Sequence, residues 1–337
     1  MTRSKQSWKR PMKAIVYTKY GSPDVLQLRE VEKPTPKDNE VLIRIHATTV
    51  SSGDVKLRSF NVGVLYWLPM GLYMGFRKPK RQILGDDLAG VVESIGKDIK
   101  KYKKGDQVFG TVGFNMGAHA EYICLPEDGP FTKKPANMTN EEAAAIPFGG
   151  HTALFFLKKA NIQKGQKILI YGASGSVGTF AVQIARHYGA EVTGVCSTSN
   201  LEMVKSLGAE VIDYTKEDYT ISGPYDVIYD TVGKSSYSGC MRMLKPKGIF
   251  ILGAVFKFSW YLRALASFFG SKRVILGVAA EHQEDMILLK ELAEAGELKP
   301  IIDRTYPFEE IAEAHRYVDI GHKKGNVVIT LEHHSKT

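Results

Sequence analysis

Short apolar runs alternate with turn residues over the first part of the chain. The segments MKAIVYT, EVLIRIHATTV, LAGVVESIG and AEYICLP are rich in Val, Ile and Tyr and are bounded by Gly, Pro, Asp or Lys. This pattern is typical of β-strands separated by turns, and it predicts a β-rich domain over residues 1–135. Near Thr139 the period becomes helical, with Thr139 as the predicted N-cap and Glu142 as its capping-box partner.

From residue 136 onward, almost continuous apolar runs alternate with helical segments. The predicted strands are KILIYGA, EVTGVCS, EVIDY, YDVIYDTVG, GIFILGA and RVILGVA, and the predicted helices include SVGTFAVQIARHYG and LEMVKSLG. Apolar strands covered by helices indicate a doubly wound parallel sheet of about six strands, here over residues 136–280. The last helix and strand, within residues 281–337, are expected to return to the first domain and complete it. The fold class is therefore α/β.

Length, charge and cysteine content limit the class of protein further. A chain of 337 residues is long enough for two domains, and its 45 basic and 36 acidic residues give a formal net charge of +9. The basic residues are mostly dispersed and we find no nucleic-acid-binding motif, so the charge does not indicate a nucleic-acid partner. Cys124, Cys196 and Cys240 are scattered singly, which argues against disulfides and a structural zinc site and favours a cytoplasmic protein.

The segment ILIYGASGSVGTFAVQIA carries the strongest binding motif. Ala173-x-Gly175-x-x-Gly178 matches the dinucleotide fingerprint, with alanine for the first glycine, and lies between a predicted strand and a predicted helix. Gly175 lets the backbone approach a pyrophosphate and Gly178 lets the helix pack closely on the strand, while the helix N-terminus offers unpaired N–H groups to the phosphates. The rest of the loop is predicted to contribute as well: Ser174, Ser176 and Val177.

The end of the second predicted strand distinguishes the two nicotinamide cofactors. An NAD site usually has Asp or Glu there, about 20 residues after the loop, to bind the ribose hydroxyls. Here the stretch is VCSTSN, which contains no acid, and Ser197 and Thr198 can donate hydrogen bonds to a 2′-phosphate. The sequence therefore favours NADP(H), bound at this end by Ser197, Thr198 and Asn200.

In its motifs and their order the chain resembles the medium-chain dehydrogenase/reductase superfamily, and within it the zinc-free quinone oxidoreductase branch. The resemblance implies a GroES-like β-rich catalytic domain wrapped around a Rossmann domain, with the cofactor in the cleft between them, and a homodimer. It covers nearly the whole chain through SSGDVKLR, ILGDDLAGVVESIGKDIKKYKKGDQVFG, GHTAL, GASGSVG, LGAEVIDY, YDVIYDTVG and AHRYVDIGHKKGNVVI.

The same resemblance implies further cofactor contacts. Thr152, in GHTAL, matches a threonine that touches the nicotinamide in relatives, and Tyr214 matches a tyrosine near the adenosine end. Asn326 matches a cofactor-facing position that is basic in some relatives. The predicted set is completed by residues at the ends of two strands: Val232, Gly253 and Ala254.

The stretch GDDLAG bears on whether the protein binds a metal. In the zinc branch of the superfamily the catalytic metal takes a Cys, a His and a second Cys, and the matching positions here are Ser51, Asp86 and, approximately, Phe148. The four-cysteine structural zinc loop of that branch is also missing. Because serine, a carboxylate and a phenyl ring form a poor ligand set for zinc, we predict no metal site. Asp86 and Asp87 are expected to form local backbone hydrogen bonds instead.

Reduction without a metal needs an electrophilic acceptor and a few hydrogen-bond donors. Ser51 occupies a position near the nicotinamide where this branch often has Asn, although capping of the next helix explains it equally well. Lys56, in a D-x-K pattern of the family, is a second candidate donor, with a surface ion pair as its alternative. Asp54 is expected to cap or pair structurally, and His151 is expected to be a structural histidine.

Two apolar segments, residues 60–81 and 255–273, distinguish this chain from shorter members of the branch. If both face the cleft, they line a pocket for a lipophilic acceptor, with Tyr66 and Tyr73 as possible hydroxyl donors. A hydrophobic core or a dimer interface explains them equally well. Because each segment ends in a basic run, peripheral contact with an anionic membrane is a third and weaker hypothesis.

These features predict an NADPH-dependent, zinc-independent oxidoreductase that transfers hydride to a quinone or an α,β-unsaturated carbonyl. Ser51, Lys56 and Tyr66 are its predicted catalytic residues. A zinc-independent NAD(P)-dependent alcohol or carbonyl dehydrogenase and a non-catalytic NADPH-binding protein remain as alternatives, since all three would keep the nucleotide loop.

Overall fold

The two strand patterns of the sequence form two large sheets with different topologies. The structure, a computed structural model, describes residues 11–253, 263–265, 267 and 270–333. The four segments predicted for the β-rich part and the predicted last strand of the chain are all strands, and this part contains four further strands that were not predicted. The strands of this part are β1 Pro11–Val16, β2 Gln27–Glu32, β3 Glu40–Thr49, β4 Asp87–Ile95, β5 Gln107–Thr111, β6 Tyr122–Pro126, β7 Phe131–Lys133, and, from the end of the chain, β14 Ile302–Pro307 and β15 Asn326–Thr330.

Seven of these strands form one sheet, in the order β14-β15-β3-β4-β5-β7 with β6 also paired to β3, and β1 and β2 form a separate antiparallel pair. Ile43, Leu88 and Val108 are fully buried and share one hydrophobic core with Ile329 of β15. Val328 of β15 pairs with β3 in antiparallel register, so the C-terminal segment returns to the first sheet. The domain limits 1–135, 136–280 and 281–337 stay a prediction, which this pairing supports.

The second sheet is parallel throughout, as its continuous apolar strands predict. Its order is β10-β9-β8-β11-β12-β13, so the chain starts in the middle, runs to one edge and then crosses to the other side of its first strand. The point where the direction reverses lies between β8 and β11, and ligands of such sheets bind outside the carboxyl ends of the strands there. The bounds are β8 Lys167–Tyr171, β9 Glu191–Cys196, β10 Glu210–Asp213, β11 Tyr225–Asp230, β12 Leu244–Leu252 and β13 Arg273–Leu276.

In the described part of the chain, side chains cap the first amides of three α-helices, with Ser51, Thr139 and Ser236 as the N-cap residues. The predicted capping box is confirmed, because the Glu142 amide donates to Thr139 Oγ1 at 3.2 Å and the Thr139 amide donates to the Glu142 carboxylate at 2.9 Å. Among the described helices, none combines the length and the apolarity that crossing a bilayer requires. The helices are α1 Ser52–Ser59, α2 Gly63–Met74, α3 Asn140–Ala144, α4 Pro147–Ala160, α5 Ser176–His187, α6 Leu201–Ser206, α7 Tyr237–Met243, α8 Gln283–Glu294 and α9 Ile311–Asp319.

Candidate active site

Two neighbouring cavities lie at the carboxyl ends of β8 and β11. The inner cavity has a volume of about 280 Å³ and is bordered by α1, α2, α4 and the segment after β13. The loop cleft, about 170 Å³, runs along the glycine loop and β15. The two share several wall residues, so a ligand in one can contact a ligand in the other. The shared residues are Ser52, Phe148, Val177 and Thr231.

The glycine loop has the shape that a dinucleotide requires. A Cβ on Gly178 would lie 2.1 Å from the Gly172 carbonyl oxygen, so no side chain fits where α5 packs on β8. A Cβ on Gly175 would meet only that same oxygen, at 3.6 Å, so the space in front of the loop is open. Gly175 is also the N-cap of α5, whose first amides lack intrahelical acceptors. These features fit a pyrophosphate, as the motif predicts.

Hydrogen bonds join the loop to β15. The Ser176 hydroxyl donates to Asn326 Oδ1 at 2.6 Å, and both side chains are buried. The Gly325 amide donates to the Ser174 carbonyl at 2.8 Å. The structure thus brings together Ser174, Ser176 and Asn326, although they belong to distant parts of the sequence. Ser176 and Asn326 line the loop cleft, together with Val177 and Val232.

At the adenosine end the structure corrects one predicted contact. Thr198 does not have a free proton for a 2′-phosphate, because its hydroxyl donates to the Asp213 carboxylate at the end of β10. Asn200 donates to Ser174 Oγ at 3.2 Å and to Ser197 Oγ at 3.1 Å, which ties this end to the glycine loop. Although the stretch VCSTSN itself contains no acid, strand pairing brings Asp213 from the neighbouring strand to this end of the site.

Asp213 is a residue that the sequence analysis missed, although the strand EVIDY displays it. Hydrogen bonds from Thr198 and Thr215 hold its pKa below the ordinary value, so it is ionised at neutral pH. Lys216 Nζ lies 4.0 Å from Asp213 Oδ2 and supplies a positive charge beside it. This end of the site therefore contains both a carboxylate and a cation.

The remaining predicted cofactor residues lie in three places. Thr152 of α4 and Gly253, at the end of β12, line the inner cavity. Tyr214 follows β10 with nearly half of its surface exposed, and its ring centroid lies 6.2 Å from that of Tyr171. Ala254 lies outside the described residues.

Ser51 has a structural role that rules it out as a free donor. Its hydroxyl accepts from the Asp54 amide at 3.1 Å, and the Ser51 amide donates to Asp54 Oδ2 at 2.8 Å, which is a capping box at the start of α1. The Ser51 hydroxyl also donates to Asp54 Oδ2 at 2.8 Å. Asp54 also accepts from the Gly85 amide at 3.0 Å. The capping interpretation is thus confirmed for both residues, and the prediction of Ser51 as a catalytic donor is corrected, because its proton is already bound.

Lys56 and Tyr66, the other two predicted catalytic residues, both line the inner cavity. Burial lowers the pKa of Lys56 to about 8. Val62 and Met70 line the same cavity, so the first apolar segment forms part of its wall. Tyr73 is not among the lining residues: it is 40% exposed and lies under the Arg81 guanidinium. Most of the second apolar segment lies outside the described residues.

Buried carboxyl groups collect where the zinc branch has its metal. Asp86 lines the inner cavity, and its Oδ1 has no hydrogen-bond partner in the described part of the chain. Burial and the neighbouring Asp87 raise its pKa well above the ordinary value. Asp87 accepts from the Thr49 hydroxyl at 2.9 Å, and burial raises its pKa too. The expectation of a local backbone hydrogen bond agrees with Asp86, whose own backbone contacts its carboxyl group, but is wrong for Asp87, whose partners are Thr49 on another strand and the Phe148 backbone.

Glu281 is the second functional candidate that the sequence analysis missed. It follows β13 and lines the inner cavity, and burial raises its pKa. Its carboxyl group sits directly over Gly113, where a Cβ would lie 2.0 Å from Glu281 Oε2. One signal could have identified it, since it follows the carboxyl end of a parallel strand, where sites of such sheets form.

The side chains at the zinc positions do not fit zinc. Ser51 is engaged with Asp54, Phe148 has no ligating atom, and Asp86 alone remains. Nowhere in the described ranges do three or more His, Cys, Asp or Glu side chains form a group that could hold a metal ion. His151 lines the inner cavity, but its Nε2 lies 3.2 Å from Asp285 Oδ2 of α8, as expected of a structural histidine.

Comparisons with known proteins give matches in both the β-rich part and the parallel-sheet part of the chain. Residues 37–136 match the alcohol dehydrogenase GroES-like domain, and residues 207–329 match the zinc-binding dehydrogenase family. The chain is 34% identical to a 2-methylene-furan-3-one reductase of Solanum lycopersicum over 94% of its own length and 79% of that protein. It is 31% identical to a mitochondrial NAD(P)H oxidoreductase of Mus musculus over 95% of its length and 89% of that protein.

A solved structure has the same fold over almost the whole chain. The quinone oxidoreductase of Coxiella burnetii superposes with a TM-score of 0.85 and 28% identity, covering 96% of this chain and all of that one. The similarity therefore spans both sheets and the cleft between them.

Proposed function

Because this chain belongs to the medium-chain dehydrogenase/reductase superfamily, in its quinone oxidoreductase branch, we propose that it reduces quinones or α,β-unsaturated carbonyls with NADPH and without a metal. The chain is an oxidoreductase of this superfamily and uses a nicotinamide cofactor. The substrate class, the choice of NADPH and the independence from zinc form the proposal.

One observation supports the substrate class most strongly. The inner cavity adjoins the glycine loop at Val177 and Thr231, and its walls are largely apolar, with Leu57, Met70 and Phe156 among them. An acceptor in this cavity would lie beside the cofactor in surroundings that exclude water, which strengthens every electrostatic contact to it.

The chemistry needs a hydride and a proton. NADPH held on the glycine loop would supply the hydride, either for the β-carbon of an enone or for a quinone. Burial raises the pKa of Asp86 well above its ordinary value and also raises the pKa of Glu281, which favours the protonated, proton-donating form of both carboxyl groups. Either can protonate the reduced substrate, and water then restores the carboxyl proton. Lys56 is mainly protonated at neutral pH and can stabilise negative charge that develops on the substrate oxygen.

Two residues at the adenosine end favour NADPH over NADH, and one carboxylate opposes it. The Ser197 hydroxyl can donate to a 2′-phosphate, and Lys216 offers a positive charge near Asp213. The Asp213 carboxylate opposes that phosphate, although Thr198, Thr215 and Lys216 compensate its charge. We therefore propose that NADPH binds more tightly than NADH by a modest factor.

A turnover screen with metal analysis tests the function. Freshly purified protein should oxidise NADPH in the presence of several quinones, enals or enones, and mass spectrometry should find no stoichiometric zinc. If NADPH binds but no acceptor accelerates its oxidation, the protein is a binding protein and the proposal is wrong. Stoichiometric zinc that is needed for turnover would contradict the metal-free chemistry.

The proposal also includes an oligomeric state and a location in the cell. We propose a homodimer, to be measured by light scattering, and a cytoplasmic location. The similar mouse protein is mitochondrial, so fractionation of the native cells is the decisive measurement for the second.

A further inference from the structure

Helix α2 has two different sides. Tyr66 and Met70 face the inner cavity and form part of its wall. Leu68 and Leu72 each follow one of them by two positions, which is about 200° around a helix axis, so they point away from the cavity. Their exposures of 58% and 63% agree with that direction. The same helix thus borders the substrate space on one side and solvent on the other.

The exposed surface of α2 and of the two residues after it is unusually apolar. Five of the fourteen exposed large hydrophobic side chains in the described part of the chain lie between Trp67 and Phe76. The Trp67 and Phe76 rings pack against each other with centroids 4.8 Å apart, and Trp67 is still 51% exposed. We call this set the α2 face: Trp67, Leu68, Leu72, Tyr73 and Phe76. Concentrated exposure of this kind marks an interaction site.

A one-sided charge distribution surrounds the α2 face. No Asp or Glu occurs from Val55 to Gly85, whereas Arg77, Lys78, Lys80 and Arg81 follow the helix directly. Lys80 Nζ donates to the Leu72 carbonyl at 2.8 Å, which fixes the basic segment against the end of the helix. Arg77 and Lys78 are exposed and form no ion pair with any described residue. An apolar face beside unpaired cations complements an anionic, amphipathic partner.

We propose that the α2 face docks on a membrane surface that contains anionic phospholipids, with Trp67, Leu68 and Leu72 entering the interface and Arg77 and Lys78 contacting the headgroups. Trp and Tyr favour this depth of a bilayer because their rings have an apolar body and a polar edge. A second copy of the chain fits the face less well, since a two-fold contact would bring two basic segments together.

The docking has a consequence for the substrate, which rests on the proposed function. Because α2 separates the α2 face from the inner cavity, docking brings the wall of that cavity to the lipid surface. A lipophilic acceptor dissolved in the bilayer, such as a quinone with a long isoprenoid-like chain, could then enter without crossing water. The substrate class becomes a membrane-resident quinone or enone.

Vesicle sedimentation of the full-length protein tests the docking. We expect binding to vesicles of phosphatidylcholine with phosphatidylserine, weaker binding to phosphatidylcholine alone, and weaker binding at high salt. Leu68→Ser/Leu72→Ser should lower the partition coefficient about tenfold or more, and Arg77→Gln/Lys78→Gln roughly fivefold for each charge removed. Ile221→Ser/Ile320→Ser and Lys103→Gln/Lys104→Gln, which change equally exposed residues elsewhere, are matched controls and should bind as the wild type does.

Three results would overturn the docking. The first is wild-type protein that does not sediment with the anionic vesicles, and the second is an α2-face variant that binds as tightly as its control. The third is a change of oligomeric state of Leu68→Ser/Leu72→Ser in light scattering, which would identify the face as an interface between copies.

A turnover assay separates this proposal from the proposed function. With a water-soluble quinone, Leu68→Ser/Leu72→Ser should retain wild-type kcat/KM, while reduction of a long-chain quinone in vesicles should fall with the loss of binding. Intact soluble turnover without vesicle binding contradicts only the docking. Vesicle binding without any turnover contradicts only the reductase function.

Discussion

The glycine loop and the inner cavity differ in how their polar side chains are satisfied. Around the loop, neutral hydrogen bonds join the side chains: Ser176 is paired with Asn326, and Asn200 donates to Ser174 and Ser197, although Asn200 Oδ1 itself is buried without a partner among the described residues. In the cavity, Asp86 Oδ1 is buried and has no hydrogen-bond partner in the described part of the chain. Native proteins seldom leave such an atom unpaired without a functional reason. The loop is therefore held together by neutral hydrogen bonds before a ligand binds, whereas the cavity retains an unpaired acid that a substrate can use.

The loop and the cavity also differ in whether their polar groups titrate. The loop offers backbone amides and a helix N-terminus, which do not titrate and hold an anion at any pH. The cavity offers Lys56, Asp86 and Glu281, whose pKa values are displaced by burial towards neutral pH. Changes at the loop should consequently alter binding, and changes in the cavity should alter turnover and its pH dependence.

The largest effect is expected from Gly175→Asp. The site has open space for the side chain, so the fold should persist, but the carboxylate would face the pyrophosphate. Like-charge contact of this kind should weaken NADPH binding by about 100-fold or more, measured by fluorescence titration. Gly175→Ala is the matched control for size, and both variants should melt near the wild-type temperature. Wild-type affinity in Gly175→Asp would mean that the cofactor does not lie on this loop.

Asp86→Asn tests the inner cavity, as Gly175→Asp tests the glycine loop. The amide keeps the size of the side chain but cannot donate an acidic proton, so kcat with an enone should fall about 10- to 100-fold. The dissociation constant for NADPH should not change, because Asp86 lies outside the loop cleft. Asp38→Asn, an exposed carboxylate paired with Lys97, is the control and should leave kcat unaltered. A loss of NADPH affinity that accounts for the whole effect would contradict a role in proton transfer.

The pH dependence of kcat/KM tests whether the Lys56 ammonium stabilises charge on the substrate. Burial disfavours the charged ammonium and lowers its pKa to about 8, so the charged form is lost as the pH rises through that value. We expect kcat/KM to fall above pH 8, by about tenfold for each unit where charge is essential.

Lys56→Met should remove the alkaline limb of the profile together with part of the activity. Surface variant Lys104→Met should leave the profile unchanged. An alkaline limb that persists in Lys56→Met would assign it to another group.

The smallest effect is expected at the adenosine end. Lys216→Met should raise the KM for NADPH roughly threefold to fivefold, because an exposed charge contributes up to about 1 kcal/mol. The KM for NADH should stay constant. Lys205→Met, whose amine pairs with Glu202 on α6, is the control. Equal changes for both cofactors would show that Lys216 does not contact the 2′-phosphate.

Local patterns in the sequence were sufficient for the elements and the loop. Strand and helix periods, the capping box of Thr139 and the glycine spacing act over a few residues, so their physical basis is present in short stretches. The capping role of Ser51 and Asp54 is of the same kind and was one of the two interpretations the sequence allowed.

Only the tertiary structure decided which polar groups meet. Asp86 and Glu281 line one cavity although they lie far apart in the chain, and the Asp213 carboxylate accepts a hydrogen bond from the Thr198 hydroxyl because β10 pairs with β9. It also decided that one side of α2 faces the cavity and the other faces solvent. Burial and through-space neighbours determine pKa and hydrogen-bond partners, and the order of residues along the chain does not encode either one.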